Sequence, residues 1–365
     1  MKILHIIYDD IKNPWCGGGG ALRTLKVNEY LAPENQLIVL TGNFPGAQNQ
    51  NINAVNYIRI GFKSSYLLSR ISFTLLIPFY MKKFKSDIVI NDCSFFAPCF
   101  ADLYTKRPVV NVIHHLIGKH PFKIYPLFGF FPFITEQFFL KIVKNVITSA
   151  KGIKEDIQKR YQGKNVINIA NGISDDLFYL KPEEGNFILF LGRIDIYMKG
   201  LDILLESFFR IKDQNVFLKI AGSGKRGDVK RLMELIRHFK LEQRVKFLGR
   251  VSERDKLELL RTCLFLVMPS RFEGWGITAI EANAAGKPVL GTNIRGLSEA
   301  VVNNRTALLI EPEDTERLTS SMDFLIENAH IRTNLGKEGR IWAQRFSWKS
   351  VAKEQFAFYE SVLRK

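Results

Sequence analysis

Short apolar runs, three to six residues long, recur along the chain and alternate with longer amphipathic stretches. Runs of this length between turn-forming residues are typical of buried strands. In the first half they predict strands at Ile3–Tyr8, Leu37–Leu40, Ile88–Ile90, Val109–Ile113, Val146–Thr148 and Val166–Ala170. In the second half they predict strands at Phe187–Leu191, Phe217–Ala221, Val245–Leu248, Cys263–Met268, Val289–Gly291 and Ala307–Ile310.

The stretches between these runs have the period of an amphipathic helix. The period is clearest after Gly200, with apolar residues at Leu201, Leu204, Leu205, Phe208 and Phe209. A last helix is predicted from about Ser347 to Leu363. Strands that alternate with helices form parallel sheets covered on both faces. We therefore predict an α/β protein with doubly wound, Rossmann-like sheets.

The length of 365 residues is comfortable for two domains, each with its own core. Turn-forming residues lie near the middle, at 171–174 and 181–185. We place the boundary there, with one domain at residues 1–172 and a second at residues 173–346.

Positive charge is concentrated in the first half. The whole chain has 52 Lys and Arg against 36 Asp and Glu, a net charge of +16. Residues 1–172 contain 21 Lys and Arg against 10 Asp and Glu. Such a surface favours an anionic neighbour, and composition alone leaves open nucleotide phosphates, an anionic acceptor, a membrane surface or nucleic acid.

The sequence shows neither a signal peptide nor the roughly 20 apolar residues of a spanning helix. We expect a cytoplasmic protein, with peripheral contact to the inner face of the membrane as an option. The four cysteines have no metal-site spacing, and free thiols are expected. There is also no Asp-x-Asp metal motif, so we expect neither a metal nor a cofactor.

The segment Arg271–Pro288 contains two glutamates eight positions apart, Glu273 and Glu281. Glu273 lies in a predicted loop after a strand, and Glu281 lies one turn inside a predicted helix, Ile277–Ala285. The start of a helix favours phosphate, and carboxylates accept hydrogen bonds from vicinal hydroxyls. A nucleoside diphosphate sugar needs both kinds of contact.

This segment resembles the glutamate signature of the retaining glycosyltransferases that include sucrose synthase and bacterial mannosyltransferases (family 4 type). The resemblance implies the GT-B fold: two Rossmann-like domains facing a cleft, with the C-terminal helix 347–365 crossing back to the first domain. It also implies that Glu281 binds the ribose, that Glu273 binds the donor sugar, and that the amides of Gly276, Ile277 and Thr278 lie near the phosphates.

A second motif, Phe190–Gly200, places two cations after a predicted strand and before a helix. It resembles the family's diphosphate clamp. Arg193 and Lys199 would then neutralise the charge that develops on the departing nucleotide, in place of a metal. The alternative is two solvated surface cations.

Two motifs in the first half fit the same resemblance. The glycines at Gly17–Gly20 precede a predicted helix, and Gly18 and Gly19 would approach the phosphate and sugar of the donor; the alternative is a structural turn. His114 ends a predicted strand, where the family has a histidine that contacts the donor sugar. His115 is the alternative to His114.

The segment Phe122–Phe139 is rich in Phe and Tyr and is surrounded by lysines. Its uncharged part is too short to span a bilayer. It predicts core packing, an acceptor pocket or an interfacial segment that contacts an anionic membrane.

Taken with the resemblance, these motifs predict a retaining, metal-independent glycosyltransferase. Its donor would be a UDP- or GDP-linked sugar, and its acceptor a sugar or a lipid-linked glycan, in glycan, polysaccharide or glycolipid synthesis. Two rival functions are a nucleotide-sugar epimerase on the same fold and a basic nucleic-acid-binding protein. The second would leave the two glutamates and the cation pair unused, and we expect no nucleic-acid partner.

Overall fold

A computed structural model of the chain describes residues 1–94, 97–114, 116 and 130–364, without the side chains of residues 131 and 132. The Cα positions divide the chain into two compact units. Unit 1 consists of Met1–Gly172 and Trp348–Lys365, and unit 2 consists of Ile173–Ser347.

Unit 1 is built on an eight-stranded sheet in the order β3-β4-β2-β1-β5-β6-β7-β8. All described neighbours are parallel except β3, which pairs antiparallel with β4 at the edge. The strands are β1 Lys2–Ile6, β2 Gln36–Gly42, β3 Gln50–Ile52, β4 Val55–Ile60, β5 Ile88–Asp92, β6 Val109–Ile113, β7 Asn145–Thr148 and β8 Asn165–Asn168.

The described helices of unit 1 include the C-terminal helix of the chain, α13, which packs on α1. The buried residues Trp348 and Tyr359 of α13 belong to the same core cluster as Val27 of α1. The helices are α1 Gly19–Leu31, α2 Tyr66–Lys83, α3 Ala101–Tyr104, α4 Phe130–Ile142, α5 Lys151–Arg160 and α13 Trp348–Leu363.

Unit 2 is built on a six-stranded parallel sheet in the order β11-β10-β9-β12-β13-β14. Renumbered within the unit, this order is 3-2-1-4-5-6, that of a dinucleotide-binding Rossmann domain. The strands are β9 Phe187–Leu191, β10 Phe217–Ala221, β11 Val245–Gly249, β12 Leu266–Met268, β13 Val289–Thr292 and β14 Ala307–Ile310. The helices are α6 Leu201–Arg210, α7 Arg226–His238, α8 Glu253–Thr262, α9 Ile277–Ala284, α10 Arg295–Ser298, α11 Thr315–Glu327 and α12 Ala329–Ala343.

The predicted α/β class and the two doubly wound units are confirmed. Two strands, β3 and β4, are absent from the sequence-based prediction, and β12 begins at Leu266 instead of Cys263. On α6 four of the five apolar residues at helical spacing are buried, Phe209 is exposed, and Ile203 is buried as well. The buried residues of α6 share a core cluster with strands β9 and β10, and the helix also packs against α11, so its buried face is wider than one stripe.

Each sheet reverses its winding direction at one pair of neighbouring strands. In unit 1 the pair is β1 and β5, and in unit 2 it is β9 and β12. In open α/β sheets, ligands bind outside the carboxyl ends of the strands at this point. The two motifs of the second half follow β9 and β12, and the glycine loop of the first half follows β1.

Candidate active site

In unit 2, the loops after β9 and β12 lie in direct contact. Gly200 has a positive φ of 64°, and a Cβ there would lie 2.0 Å from the carbonyl oxygen of Pro269. The amide N–H groups of Arg271 and Phe272 donate to the carbonyl oxygen of Met198, at 3.0 and 3.3 Å. Glycine at position 200 is therefore required by both its conformation and the close approach of the second loop.

Arg271 fixes the two loops to each other. Its guanidinium donates two parallel hydrogen bonds to the Asp202 carboxylate, at 2.9 and 3.0 Å, and a third to the Tyr197 carbonyl oxygen. Bidentate pairs of this kind are geometrically specific. The sequence analysis missed this role, because the partner residues lie about 70 positions away in the chain.

Lys199 and Glu273, one from each loop, form an ion pair. Both side chains are largely buried, so each charge is held by the other and only partly by water. Arg193 differs, since its side chain is 67% exposed and its nearest carboxylate, on Asp195, is 3.9 Å away. The structure thus brings two predicted site residues together and leaves the Arg193 guanidinium exposed to solvent.

The start of α9 provides backbone donors beside these loops. The N–H of Gly276 donates to the Gly296 carbonyl oxygen, and the N–H of Ile277 donates to that of Trp275. The Thr278 N–H has no backbone acceptor within the described part of the chain, as expected for the first turn of a helix. Of the three predicted amides, Thr278 therefore offers an uncommitted donor.

The Glu281 side chain, on α9, is largely buried and is paired with a lysine that the sequence analysis did not identify. The Lys256 ammonium, on α8, lies 2.9 Å from the Glu281 carboxylate and 2.9 Å from the exposed Glu253 carboxylate. Burial raises the pKa of Glu281, and the charge of Lys256 opposes that rise. Burial also disfavours the charged form of Lys256, but the two carboxylates outweigh it and raise the pKa of Lys256.

In unit 1, the glycine loop after β1 leads into α1. Gly18 is the residue before the helix, and a Cβ at Gly18 or Gly19 would meet no atom within 4 Å. Gly17 and Gly20 are different, because a Cβ at Gly20 would lie 3.3 Å from the His114 Nε2 atom. The open backbone is therefore at Gly18 and Gly19, the two residues that the sequence singled out.

His114 lies directly after β6 and is one end of a buried polar chain. Its Nε2 atom lies 2.5 Å from the Asp92 carboxylate, whose other oxygen lies 2.7 Å from the His5 Nε2 atom. Thr24 donates to the same carboxylate at 3.2 Å. Burial alone would raise the pKa of Asp92, but the charge of His114 and the hydrogen bonds of both histidines outweigh it and hold the pKa well below its ordinary range.

The sequence analysis missed Asp92 because it ended the strand at Ile90. In the structure β5 continues to Asp92, so its carboxyl end places this side chain at the reversal point beside β1. His5 lies on β1 itself and Asn28 of α1 contacts its other ring nitrogen. A polar residue that ends a buried strand is the signal that could have identified Asp92.

The structure describes only part of the predicted aromatic segment Phe122–Phe139. His115 and residues 122–129 lie outside the described residues. From Phe130 the aromatic segment forms α4, in which Phe139 is buried and Phe130 and Phe138 are exposed. Core packing therefore holds for Phe139, and the acceptor and membrane roles of the segment stay predictions.

Within the described part of the chain, no group of three or more His, Cys, Asp or Glu side chains is arranged to hold a metal ion. The four cysteines are free thiols. None of the described helices combines the length and the apolarity that crossing a membrane requires.

Comparison with known proteins shows which family the second half of the chain resembles. Residues 175–342 match the family described as Glycosyl transferases group 1. An uncharacterized glycosyltransferase of Methanocaldococcus jannaschii is 32% identical over 220 residues, which cover 60% of this chain and 59% of that protein. The chain spans between 41% and 64% of the length of the curated relatives that it matches.

Solved structures extend the similarity of fold to the whole chain. Sucrose-phosphate synthase from Thermosynechococcus elongatus superposes with a TM-score of 0.83 at 19% identity, covering 100% of this chain and 99% of that one. The Anabaena protein HepE, solved in complex with UDP and glucose, has a TM-score of 0.77 at 17% identity and covers 99% of this chain and 100% of its own. The chain therefore has the GT-B fold, and its residues 175–342 match the glycosyltransferase group 1 family.

Proposed function

We propose that the protein is a retaining, metal-independent glycosyltransferase that moves a sugar from a nucleoside diphosphate sugar to an acceptor hydroxyl. The observation that carries the proposal is the contact between Lys199 and Glu273 at the reversal point of unit 2. It places a cation suited to phosphate beside a carboxylate suited to sugar hydroxyls, next to the start of α9. The donor is UDP- or GDP-linked, and the acceptor is a sugar or a lipid-linked glycan in glycan, polysaccharide or glycolipid synthesis.

Each group has a distinct role in this proposal. Arg193 and Lys199 bind the diphosphate, with Thr278 as a backbone donor. Once Lys199 binds the phosphate, Glu273 is free to accept hydrogen bonds from the hydroxyls of the donor sugar. Glu281 accepts hydrogen bonds from the hydroxyls of the ribose. The two cations stabilise the negative charge that grows on the leaving diphosphate, which is the task that a metal ion performs in other transferases.

His114 is proposed to donate a hydrogen bond to the donor sugar from unit 1. Asp92 fixes the orientation of the imidazole, and Gly18 and Gly19 leave room for the donor to approach the backbone at the start of α1.

In the proposed reaction, the bond between the anomeric carbon and the diphosphate oxygen breaks. The acceptor oxygen forms its new bond to the anomeric carbon on the same face, and its proton passes to the departing diphosphate. The products are the glycosylated acceptor, with the donor's anomeric configuration, and a nucleoside diphosphate. No side chain forms a covalent intermediate in this proposal.

The experiment is donor turnover followed by proton NMR, with UDP-glucose, UDP-N-acetylglucosamine, GDP-mannose and ADP-glucose tested separately in EDTA. Where no acceptor is supplied, water takes its place and the sugar is released. Release in the α configuration supports the proposal, and release in the β configuration contradicts retention. Conversion of a donor into its epimer without release would identify an epimerase instead.

A further inference from the structure

Helix α2 of unit 1 carries a stripe of exposed apolar side chains along its full length. The stripe consists of residues spaced four apart, which lie on one side of a helix. The four residues are Leu67 (66% exposed), Ile71 (48%), Leu75 (65%) and Phe79 (69%). Leu68 and Leu76, beside the stripe, are also exposed. Contiguous exposed apolar surface of this extent marks an interaction site in a soluble domain.

The opposite face of α2 accounts for its attachment to unit 1. Phe73, Ile77 and Met81 are fully buried in the core cluster that includes β1. The Ser65 hydroxyl caps the helix by accepting from the Leu68 N–H at 3.3 Å. The fold thus holds α2 through one face, and the exposed stripe contributes little to that packing.

Cations flank the stripe and acids are absent from it. Residues 62–86 contain five Lys and Arg and no Asp or Glu. Lys82 and Lys83 lie in the last turn of α2 and are exposed, as are Lys63 before the helix and Lys85 after it. Phe62, next to Lys63, is also exposed.

We propose that this face of α2 docks unit 1 on an anionic lipid bilayer. An amphipathic helix with an apolar stripe and flanking lysines lies in the plane of the membrane interface, with the apolar side chains among the acyl chains and the ammonium groups at the headgroups. With 18 residues, α2 would extend about 27 Å along the surface. The charge selects this occupant over a second copy of the chain, because two such cationic faces repel each other.

Membrane docking through α2 would use different residues from the proposed sugar transfer. None of the groups assigned to the donor lies on α2. The docking surface on α2 is also different from the segment Phe122–Phe139, on which the sequence-based membrane prediction rests. Loss of membrane docking and loss of sugar transfer are therefore separable by experiment.

The test is cosedimentation of the full chain with vesicles of phosphatidylglycerol and phosphatidylcholine in equal parts, and with phosphatidylcholine alone. Salt is varied between about 0.01 M and about 1 M, where the screening length falls from about 30 Å to about 3 Å. The wild type should pellet with the anionic vesicles at low salt, and much less at high salt or with the neutral vesicles.

The apolar variant is Leu75→Gln/Phe79→Gln, and its matched control is Phe324→Gln/Ile341→Gln, which removes two exposed apolar side chains from unit 2. The first should lower the partition coefficient by at least about tenfold, since two apolar anchors are lost, and the control should leave it unchanged. Circular dichroism and turnover of a soluble donor report whether each variant is folded.

The charge variant is Lys82→Glu/Lys83→Glu, with Lys230→Glu/Arg237→Glu in unit 2 as a control of equal net charge change. Only the first should lose the dependence on anionic lipid. Wild-type behaviour of the folded variant Leu75→Gln/Phe79→Gln would overturn the proposal. Equal pelleting of the wild type with both kinds of vesicle, or no pelleting with either, would also overturn the proposal.

Two further results would also reject it. If pelleting were lost in Phe130→Ser/Phe131→Ser but kept in both α2 variants, the aromatic segment and not α2 would contact the lipid. If sedimentation velocity gave a dimer that the α2 variants dissociate, a second copy would cover the stripe.

Discussion

Lys199 and Glu273 are 74 positions apart in the sequence and form an ion pair between the two loops at the reversal point of unit 2. Both side chains are mostly shielded from water, at 15% and 14% exposure. Removing one partner of such a pair leaves the other charge buried and uncompensated. In the proposed complex, a bound diphosphate sugar is expected to divide the pair, with phosphate on Lys199 and hydroxyls on Glu273.

The first prediction concerns the two glutamates. Glu281→Ala should weaken nucleoside diphosphate binding, whereas Glu273→Ala should mainly lower kcat, because the proposal assigns the first to the ribose and the second to the reacting sugar. Loss of a hydrogen bond to a charged group costs about 1.5–3 kcal/mol, which is roughly ten- to a hundredfold. Calorimetric binding of the nucleotide and steady-state turnover measure the two effects. Full activity of the double variant would reject the assignment.

The second prediction concerns Lys256, which compensates the buried charge of Glu281. Lys256→Met should raise the pKa of Glu281 further and lower the free energy of unfolding by about 3 kcal/mol at neutral pH. Nucleotide affinity should then fall more steeply as the pH is lowered, because a larger fraction of Glu281 is protonated.

The double variant Lys256→Met/Glu281→Gln is the control for this pair. It has no buried charge to compensate, so it should recover most of the lost stability while nucleotide binding stays weak. Urea unfolding of the wild type, Lys256→Met, Glu281→Gln and the double variant measures the coupling. Additive losses would show that Lys256 does not act through Glu281.

The third prediction concerns the cation pair. Arg193→Ala/Lys199→Ala should remove most turnover while the fold is kept, whereas Lys212→Ala, an exposed lysine of the same unit, should be neutral. Wild-type turnover should survive EDTA, because in the proposed mechanism these side chains, and not a metal ion, stabilise the leaving diphosphate. Loss of transfer on chelation, with recovery in Mg²⁺ or Mn²⁺, would show that the clamp assignment is wrong.

The fourth prediction concerns Asp92. Its pKa is lower in the folded than in the unfolded chain, so the unfolded chain takes up its proton first as the pH falls. The stability from this carboxylate is thus complete above the ordinary aspartate pKa of about 3.9 and declines below it.

Asp92→Asn should accordingly lower the free energy of unfolding at pH 7 by about 1–3 kcal/mol, with a smaller difference at acid pH. It should also lower kcat, since the His114 ring loses its orienting partner. Urea unfolding at several pH values and turnover measure these effects. A stability difference that stays constant as the pH is lowered through about 4 would contradict the account.

The sequence predicted unit 2 better than unit 1 for a physical reason. The central strands of a parallel sheet are buried on both faces and appear as continuous apolar runs, as in Phe187–Leu191. Strand β4, Val55–Ile60, alternates exposed and buried residues near the sheet edge and gives no such run. The glutamate and cation motifs are local in sequence and were recognisable. Lys256, Arg271 and Asp92 act through partners 22 to 87 positions away, which no local pattern reveals.

The central claim is that unit 2 binds a nucleoside diphosphate through Glu281 and the cation pair without a metal. The most direct measurement is thermal unfolding with UDP, GDP and ADP in EDTA, for the wild type and Glu281→Gln, because a ligand that binds only the folded state raises Tm. We predict that one nucleotide raises the Tm of the wild type, and that the variant needs at least about tenfold more of it for the same rise. No rise with any of the three, or an equal rise in the variant, would contradict the account.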